Sequence, residues 1–263
     1  PEDQREKIQK IQDDISELGI QFESNISSYQ DSIILEEKDM QGLPEDYKQA
    51  RRREDGTYKV DLTYPSYFPF MKYAESDEAR RELSRRFKNI ASDSNLEVLL
   101  QLLKKRTDLA HMLGYSSFAQ YQLENRMAEK PSAVWDFEET LRSKVHEKAR
   151  QDYQLLLDKK KAYRGDATKV HSWENGYYRT LLLREDYHVD DEQVKQYFEL
   201  NRVLEGLFDV AGQLFGIEFG EVEAPPVWHQ EVRMFEVKKN NRLIGRFFLD
   251  LFPDCMGRVL QLA

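Results

Sequence analysis

One cysteine in 263 residues, Cys255, leaves no partner for an internal disulfide, which fits a reducing, cytoplasmic setting. Long apolar runs are also missing. Stretches such as Leu181 to Leu183 are far shorter than the roughly 20 residues that span a bilayer, and no basic-then-apolar segment opens the chain, so no membrane partner is expected. A basic surplus is missing too: 39 Lys and Arg face 48 Asp and Glu, for a net charge of −9. That argues against nucleic acid, whose phosphates are held by clustered cations. Histidine is scarce, with five residues and no pair four apart. A zinc peptidase helix needs such a pair so that both imidazoles face one metal, with Glu beside the first as base. The nearest approach, His146-Glu147, has Arg150 at the second ligand position and reads as a solvated helix face. Neither a G-x-S-x-G elbow nor a phosphate-binding loop is present. No catalytic residue and no metal ligand is therefore assigned, and no cofactor is expected in this chain.

What is present is charge, at 33% of residues, against an apolar content of 40%. Long helices with one wet face give that balance, and so does a section of a larger body. The length allows one large domain or two small ones. Lys159-Lys160-Lys161 suits a helix C-terminus, Asp190-Asp191-Glu192 an N-terminus, and Arg51-Arg52-Arg53 an exposed helix end.

The apolar spacing predicts a mainly α chain. Ile8, Ile11, Ile15, Leu18, Phe22 and Ile26 form one stripe of a helix from about Glu6 to Tyr29. Ile33 to Leu35 reads as a short strand, and Pro44 suits the first turn of a short helix. Asp55-Gly56 turns into a strand through Tyr58, Val60 and Leu62. Tyr64 to Pro69, with two prolines, reads as an extended aromatic connection. Ser76 caps a helix to about Ala91. Asn95 starts another, with Leu96, Leu99, Leu100, Leu103 and Ala110 inward and Gly114 as its stop. Ser116 caps a third, to about Met127. Pro131 opens the longest, ended by Gly165 with Phe137, Leu141, Val145 and Tyr153 on its stripe. One more covers about Trp173 to Arg184, and Asp190 with Gln193 opens a single helix reaching Gly216.

After Pro225 come two runs rich in β-branched and aromatic residues, Pro226 to Val237 and Leu243 to Pro253, about a polar turn with Asn240-Asn241. This is a β-hairpin pattern. Trp228-His229 stands at the start of its first run, where the pair can line a cleft or pack in a core. Asp250 is an acid among apolar strand residues and needs a partner if buried.

Phe22-Glu23-Ser24-Asn25, Gly42-Leu43-Pro44, Asp55-Gly56-Thr57-Tyr58, Tyr64-Pro65-Ser66-Tyr67 and Arg80 occur in an order that continues down the chain. Arg106, Ala110, Leu113-Gly114-Tyr115, Met127-Ala128, Trp173-Glu174-x-x-Tyr177-Tyr178, Tyr197-Phe198 and Leu214-Phe215-Gly216-Ile217 follow. Trp228-His229-x-x-Val232 and Gly245-x-Phe247-x-Leu249-Asp250 complete the series. Together these words resemble the thimet oligopeptidase, neurolysin and oligopeptidase A family of zinc metallopeptidases over about residues 6 to 253. Glu174 stands where the family has Asp.

That resemblance implies an elongated multi-helix body with a small β-hairpin or sheet near the C-terminus and a channel admitting short peptides. It implies three regions: a helical channel wall over 1–216, the hairpin beside the catalytic centre over 217–253, and a divergent tail over 254–263. In the family, zinc-bound water attacks the peptide carbonyl and the H-E-x-x-H glutamate moves the proton. Those groups lie further on than the Pro253 position and have no counterpart here. The expectation is thus a truncated or split member, inactive alone, with Trp228, His229, Phe247, Phe248 and Asp250 as peptide contacts. One alternative is a non-catalytic helical module that binds peptides or a partner. Another is one half of a two-chain peptidase, completed by a second chain carrying the zinc motif.

Overall fold

A computed structural model describes residues 2–251. Cys255, the rest of the 254–263 tail and the Phe252-Pro253 end of the hairpin run lie outside the described residues. In chain order the elements are α1 (Glu2–Ser27), β1 (Ser32–Leu35), a 3₁₀ turn (Glu37–Met40), α2 (Glu45–Gln49), β2 (Tyr58–Asp61), α3 (Tyr64–Tyr73), α4 (Asp77–Lys88), α5 (Ser92–Met112), α6 (Phe118–Leu123), α7 (Pro131–Tyr163), α8 (Asn175–Asp186), α9 (Asp191–Val194), α10 (Leu200–Phe215), β3 (Glu218–Val222), β4 (Arg233–Lys239) and β5 (Arg242–Leu249). The mainly α reading holds, with two small antiparallel sheets. The chain divides into two compact units, one up to Leu182 and one from Leu183.

The first unit is built on a core of Met40, Tyr58, Val60, Phe70, Ala74 and Leu83, all 3% exposed or less. The β1–β2 ribbon, with Ile33 opposite Val60, lays one face of each strand on it. Gly42 closes the turn beside it at φ +83°, where a Cβ would stand 2.3 Å from the Tyr73 carbonyl oxygen. No other residue type fits there. Pro44 is the N-cap of α2 and not in its first turn.

The largest correction concerns Tyr64 to Pro69, which is the start of α3 and not an extended connection. Pro65 falls in the first turn, where its missing N–H costs nothing. Pro69 leaves the Pro65 carbonyl without its helical donor. Arg51 fills the vacancy, its Nη2 donating to that oxygen at 3.1 Å. Burial of Ser66, Tyr67, Phe70, Met71 and Tyr73 outweighs the residual proline penalty. Sequence-local bias is here overridden by a side chain fourteen residues away.

The helix boundaries shift for similar reasons. Ser76 does cap α4, its Oγ accepting from the Ala79 N–H. Asn95 is no cap: α5 begins at Ser92, behind Ala91 at φ 54°, and Asn95 is buried. Its side chain ties α5 to α1, accepting from Asn25 Nδ2 at 2.8 Å and donating to the Phe22 carbonyl at 3.0 Å. The α5 stripe against α1 runs through Asn95, Val98, Leu102 and Leu109, so Leu96, Leu99, Leu100 and Leu103 face outward instead of inward. Ser117, not Ser116, caps the shorter α6. On α7 only Leu157 and Lys160 are buried, while Phe137, Leu141, Val145 and Tyr153 of the expected stripe are exposed.

The outer face of α4 carries a carboxylate held by two arginines. Glu82 accepts from Arg85 and Arg86, which keep it down to about 2. Because the folded-state value is depressed, the pairing is fully present above the ordinary glutamate range and is lost as pH falls from about 4.5 toward about 2. Solvent screening limits its worth to about 0.5 kcal/mol. Carboxyl-detected NMR titration of Glu82 is expected to show a midpoint well below 4. A midpoint in the ordinary range would show the arginines to be idle.

In the second unit the expected single helix from Asp190 to Gly216 is broken. α9 ends at Val194, a 3₁₀ turn follows, and Glu199 starts α10 afresh by accepting from the Arg202 N–H at 3.0 Å. Gly216, at φ +63°, is the left-handed stop. The sheet has the order β3-β4-β5, so β4 is its centre and β3 was not foreseen. Asn240 and Asn241, at φ 52° and 62°, make the tight hairpin turn that their pairing implies.

Candidate functional site

Two clusters carry the residues singled out in the sequence. The first lies in the first unit, where Trp173-Glu174-x-x-Tyr177-Tyr178 opens α8. Its side chains reach two other elements, Trp173 and Tyr177 toward α4 and Glu174 toward α7. Trp173 Nε1 donates to Asp77 Oδ1 at 3.2 Å. Asp77 also accepts from Arg80 Nη2 at 2.9 Å, and Arg80, 1% exposed, lies 4.1 Å over the Tyr177 ring. Burial pulls the Arg80 guanidinium below its ordinary value, and Asp77 opposes this. Glu174, 2% exposed, accepts from Lys160 Nζ at 2.6 Å and from the His171 N–H at 2.7 Å. Lys160 also donates to the Lys169 carbonyl at 2.9 Å, so both charges are paired and hydrogen-bonded. His171 stacks on Trp173 at 4.2 Å. This cluster is a polar clamp joining α4, the end of α7 and α8. It contains no free base or nucleophile aimed into a cleft.

The second cluster lies on the sheet of the second unit. β4 pairs with β5 so that Phe235 stands opposite Phe247 and Met234 opposite Phe248. One face packs on α10: Phe235 and Phe247 stack at 5.5 Å, and Phe208 stacks on Phe219 at 4.7 Å. Phe247 therefore belongs to this aromatic core. Phe248 takes the opposite face and is 37% exposed. Before β4 the chain turns, with the Val232 N–H donating to the His229 carbonyl at 3.2 Å and Val232 buried. Trp228 and His229 thus lie in a loop ahead of the strand, not at its start. The loop lays Trp228 edge-on to Phe248 at 5.8 Å, and its Nε1 donates to Asp250 Oδ2 at 2.9 Å. His229 turns to its own loop, its Nδ1 accepting from the Glu231 N–H at 3.3 Å. Asp250 is exposed, so burial does not require a partner for it, and Trp228 bonds it all the same.

The structure brings together Trp228, Phe248 and Asp250, and separates them from Phe247. The three make an exposed aromatic ledge with an oriented carboxylate at the end of β5, which pairs on one side only among the described residues. Such a ledge can hold an apolar side chain, and a free strand edge can hydrogen-bond an extended backbone. Acid, base and nucleophile are not assembled there. Among the described residues no three His, Cys, Asp or Glu side chains converge to hold a metal ion. No helix of the described residues is long and apolar enough to cross a membrane.

A pocket of about 310 Å³, not foreseen from the sequence, is lined by Tyr115, Ser116, Ser117, Gln120, Glu124, Glu129, Lys130 and Pro131. Its polar groups largely satisfy one another. Tyr115 donates to Glu124, and Ser116 Oγ donates to Gln120 Oε1 at 2.7 Å.

Residues 70–256 match the profile of peptidase family M3. The chain belongs to peptidase family M3. The match runs through the Trp173 to Tyr178 clamp and the Trp228–Asp250 ledge alike, so both are parts of an M3 framework. This M3 chain is similar to the thimet-like oligopeptidase of Dictyostelium discoideum, at 30% identity over 96% of this chain and 40% of that protein. It is similar to oligopeptidase A of Escherichia coli, at 30% over 98% of this chain and 42% of that one. Saccharolysin of Saccharomyces cerevisiae is 30% identical over 96% of this chain and 38% of its own length. The chain thus spans about two-fifths of the length of these relatives.

Proposed function

We propose that this M3 chain supplies channel wall and peptide-contacting sheet to a zinc-dependent oligopeptidase, a metalloendopeptidase of short peptides, and does not hydrolyse peptides by itself. The observation that supports this most is the M3 match extending through the Trp228–Asp250 ledge in a sequence with no H-E-x-x-H. Zinc, in the enzymes this chain resembles, supplies the Lewis acid and the activated water. On this reading the ion is held outside this chain, whose sequence carries no H-E-x-x-H. What this chain's residues do is bind: Trp228 and Phe248 offer a ring surface, Trp228 Nε1 fixes Asp250, and the β5 edge offers backbone groups to an extended peptide. Removing nucleophile, base and electrophile together removes most of the barrier reduction. The chain works, on this reading, in the cytoplasm.

The purified 263-residue chain, loaded with zinc or treated with chelator, is expected to leave a fluorogenic peptide uncut at the rate of buffer alone. Zinc analysis is expected to find no stoichiometric ion. Chelator-sensitive turnover would overturn the proposal.

The open edge of β5 and the exposed Trp228 favour a second reading, a non-catalytic module that binds peptides or a partner. It requires heat on titration with short peptides, lost in Trp228→Ala. A flat calorimetric trace with every peptide tried, and a clean monomer on sizing, would count against it. A third reading, one half of a two-chain peptidase, requires a second chain that carries the zinc motif.

A further inference from the structure

Helix α10 is apolar on two sides. Leu204 is buried and Phe208 stacks on the sheet of its own unit. A second stripe, Leu200, Val203, Leu207, Val210 and Leu214, stays exposed, with Leu207 57% and Leu214 72% accessible. A helix apolar around most of its circumference is one that is buried on both sides. The stripe advances by alternate steps of three and four residues, the a/d repeat that seats one helix against another. A strand, with its period of two, would meet no such row. No charge interrupts the stripe, and Gly206 and Gln213 flank it without one. The remaining face carries Arg202, Glu205 and Asp209. The M3 relatives place about three-fifths of their length outside the part matched here, so they contain much more chain that must be packed.

We propose that this stripe of α10 is the docking surface for a helix with its own a/d apolar row, contributed by the part of an M3 peptidase that lies outside the matched region. The proposal rests on the reading of this chain as a section of such an enzyme. It adds where that section joins the rest and by what geometry. Apolar side chains of the incoming helix fill the holes around Leu207 and Val210, and the uncharged flank lets the two backbones approach.

The test co-expresses the 263-residue chain with a tagged segment of Escherichia coli oligopeptidase A, the part C-terminal to its match with this chain. Capture is followed by sizing with light scattering. A one-to-one heterocomplex is expected. Leu207→Lys with Val210→Lys is expected to weaken it at least tenfold, Leu207→Gln to weaken it less, and Arg202→Glu to leave it intact. Circular dichroism of the free chain should not change, because the stripe is exposed there. A second measurement covers an insoluble segment: lysines placed in whole Escherichia coli oligopeptidase A at the positions aligned with Leu207 and Val210. These are expected to lower its melting temperature by more than 10 °C, against under 2 °C in the free chain. A complex indifferent to the lysines, a homodimer dispersed by them, or whole enzyme that melts unchanged would each overturn the proposal. A stripe-dependent complex without peptidase activity upholds the docking and counts against the enzymatic reading. Turnover by the chain alone counts against the proposed function and leaves the docking standing.

Discussion

Glu174→Ala is expected to destabilise the first unit by about 3–5 kcal/mol, the cost of leaving a buried charge without its partner. Lys160 Nζ loses a carboxylate at 2.6 Å and keeps the Lys169 carbonyl at 2.9 Å and the Tyr178 ring at 6.0 Å. The His171 N–H at the entrance to α8 loses its acceptor as well. Lys160 is 7% and Glu174 2% exposed, so water cannot reach either group without opening the clamp. The double replacement Lys160→Met with Glu174→Leu is expected to recover most of the loss, because the attraction of a buried pair roughly offsets its desolvation. Urea unfolding of the four species forms a double-mutant cycle that checks this. A single-mutant loss under about 1 kcal/mol, or a double mutant no better than the single, would show that the pair does not hold α7 to α8. Hydrogen exchange gives the local reading, with faster exchange expected in α8 and the last turns of α7.

That clamp shows how far the sequence could be read. The order of words made the family legible, and it placed Trp173, Glu174, Tyr177 and Tyr178 in one motif. It could not say that the motif is a hub, because Asp77, Arg80 and Lys160 come from α4 and α7 and meet it only through the fold. Glu174 is the acceptor of that motif and reaches Lys160 directly. Helix existence followed from apolar period, and capping by Ser76 followed from local chemistry alone. Failures came where a distant group decided the outcome. Arg51 satisfies the carbonyl that Pro69 leaves open, so two prolines sit inside α3. Asn95 looked like a cap and is a cross-link to α1. On α5 the period was read with Leu96, Leu99, Leu100 and Leu103 inward, and packing on α1 instead buries Asn95, Val98, Leu102 and Leu109.

At the ledge, the sequence offered five neighbouring residues and could not sort them. Register sorts Phe247 from Phe248, since adjacent residues on a strand take opposite faces. What it could not supply was the turn at His229–Val232 that swings Trp228 over β5 and gives Asp250 its donor.

That sorting has a measurable consequence. Phe235→Ala is expected to cost about 3–5 kcal/mol, as for large aromatics removed from a packed core. Phe235 is 4% exposed, stacks on Phe247 at 5.5 Å and lies 5.0 Å from Phe208, so its loss opens a hole bounded by a sheet and a helix that cannot both move in. Phe248→Ala, one residue from Phe247 but on the other face, is expected to cost under about 1 kcal/mol, because 37% of that side chain is already in water. Trp228→Ala belongs with Phe248, since it removes an exposed ring and one hydrogen bond to an exposed carboxylate. Equilibrium unfolding of the three variants separates framework from ledge. The sheet's two faces then carry different burdens, one stability and the other contact, and a peptide titration should respond to Phe248 and Trp228 while remaining blind to any Phe235 variant that still folds. Equal costs at Phe235 and Phe248 would mean that the ledge is packed core, and the peptide-contact role would then have to be sought elsewhere on the chain.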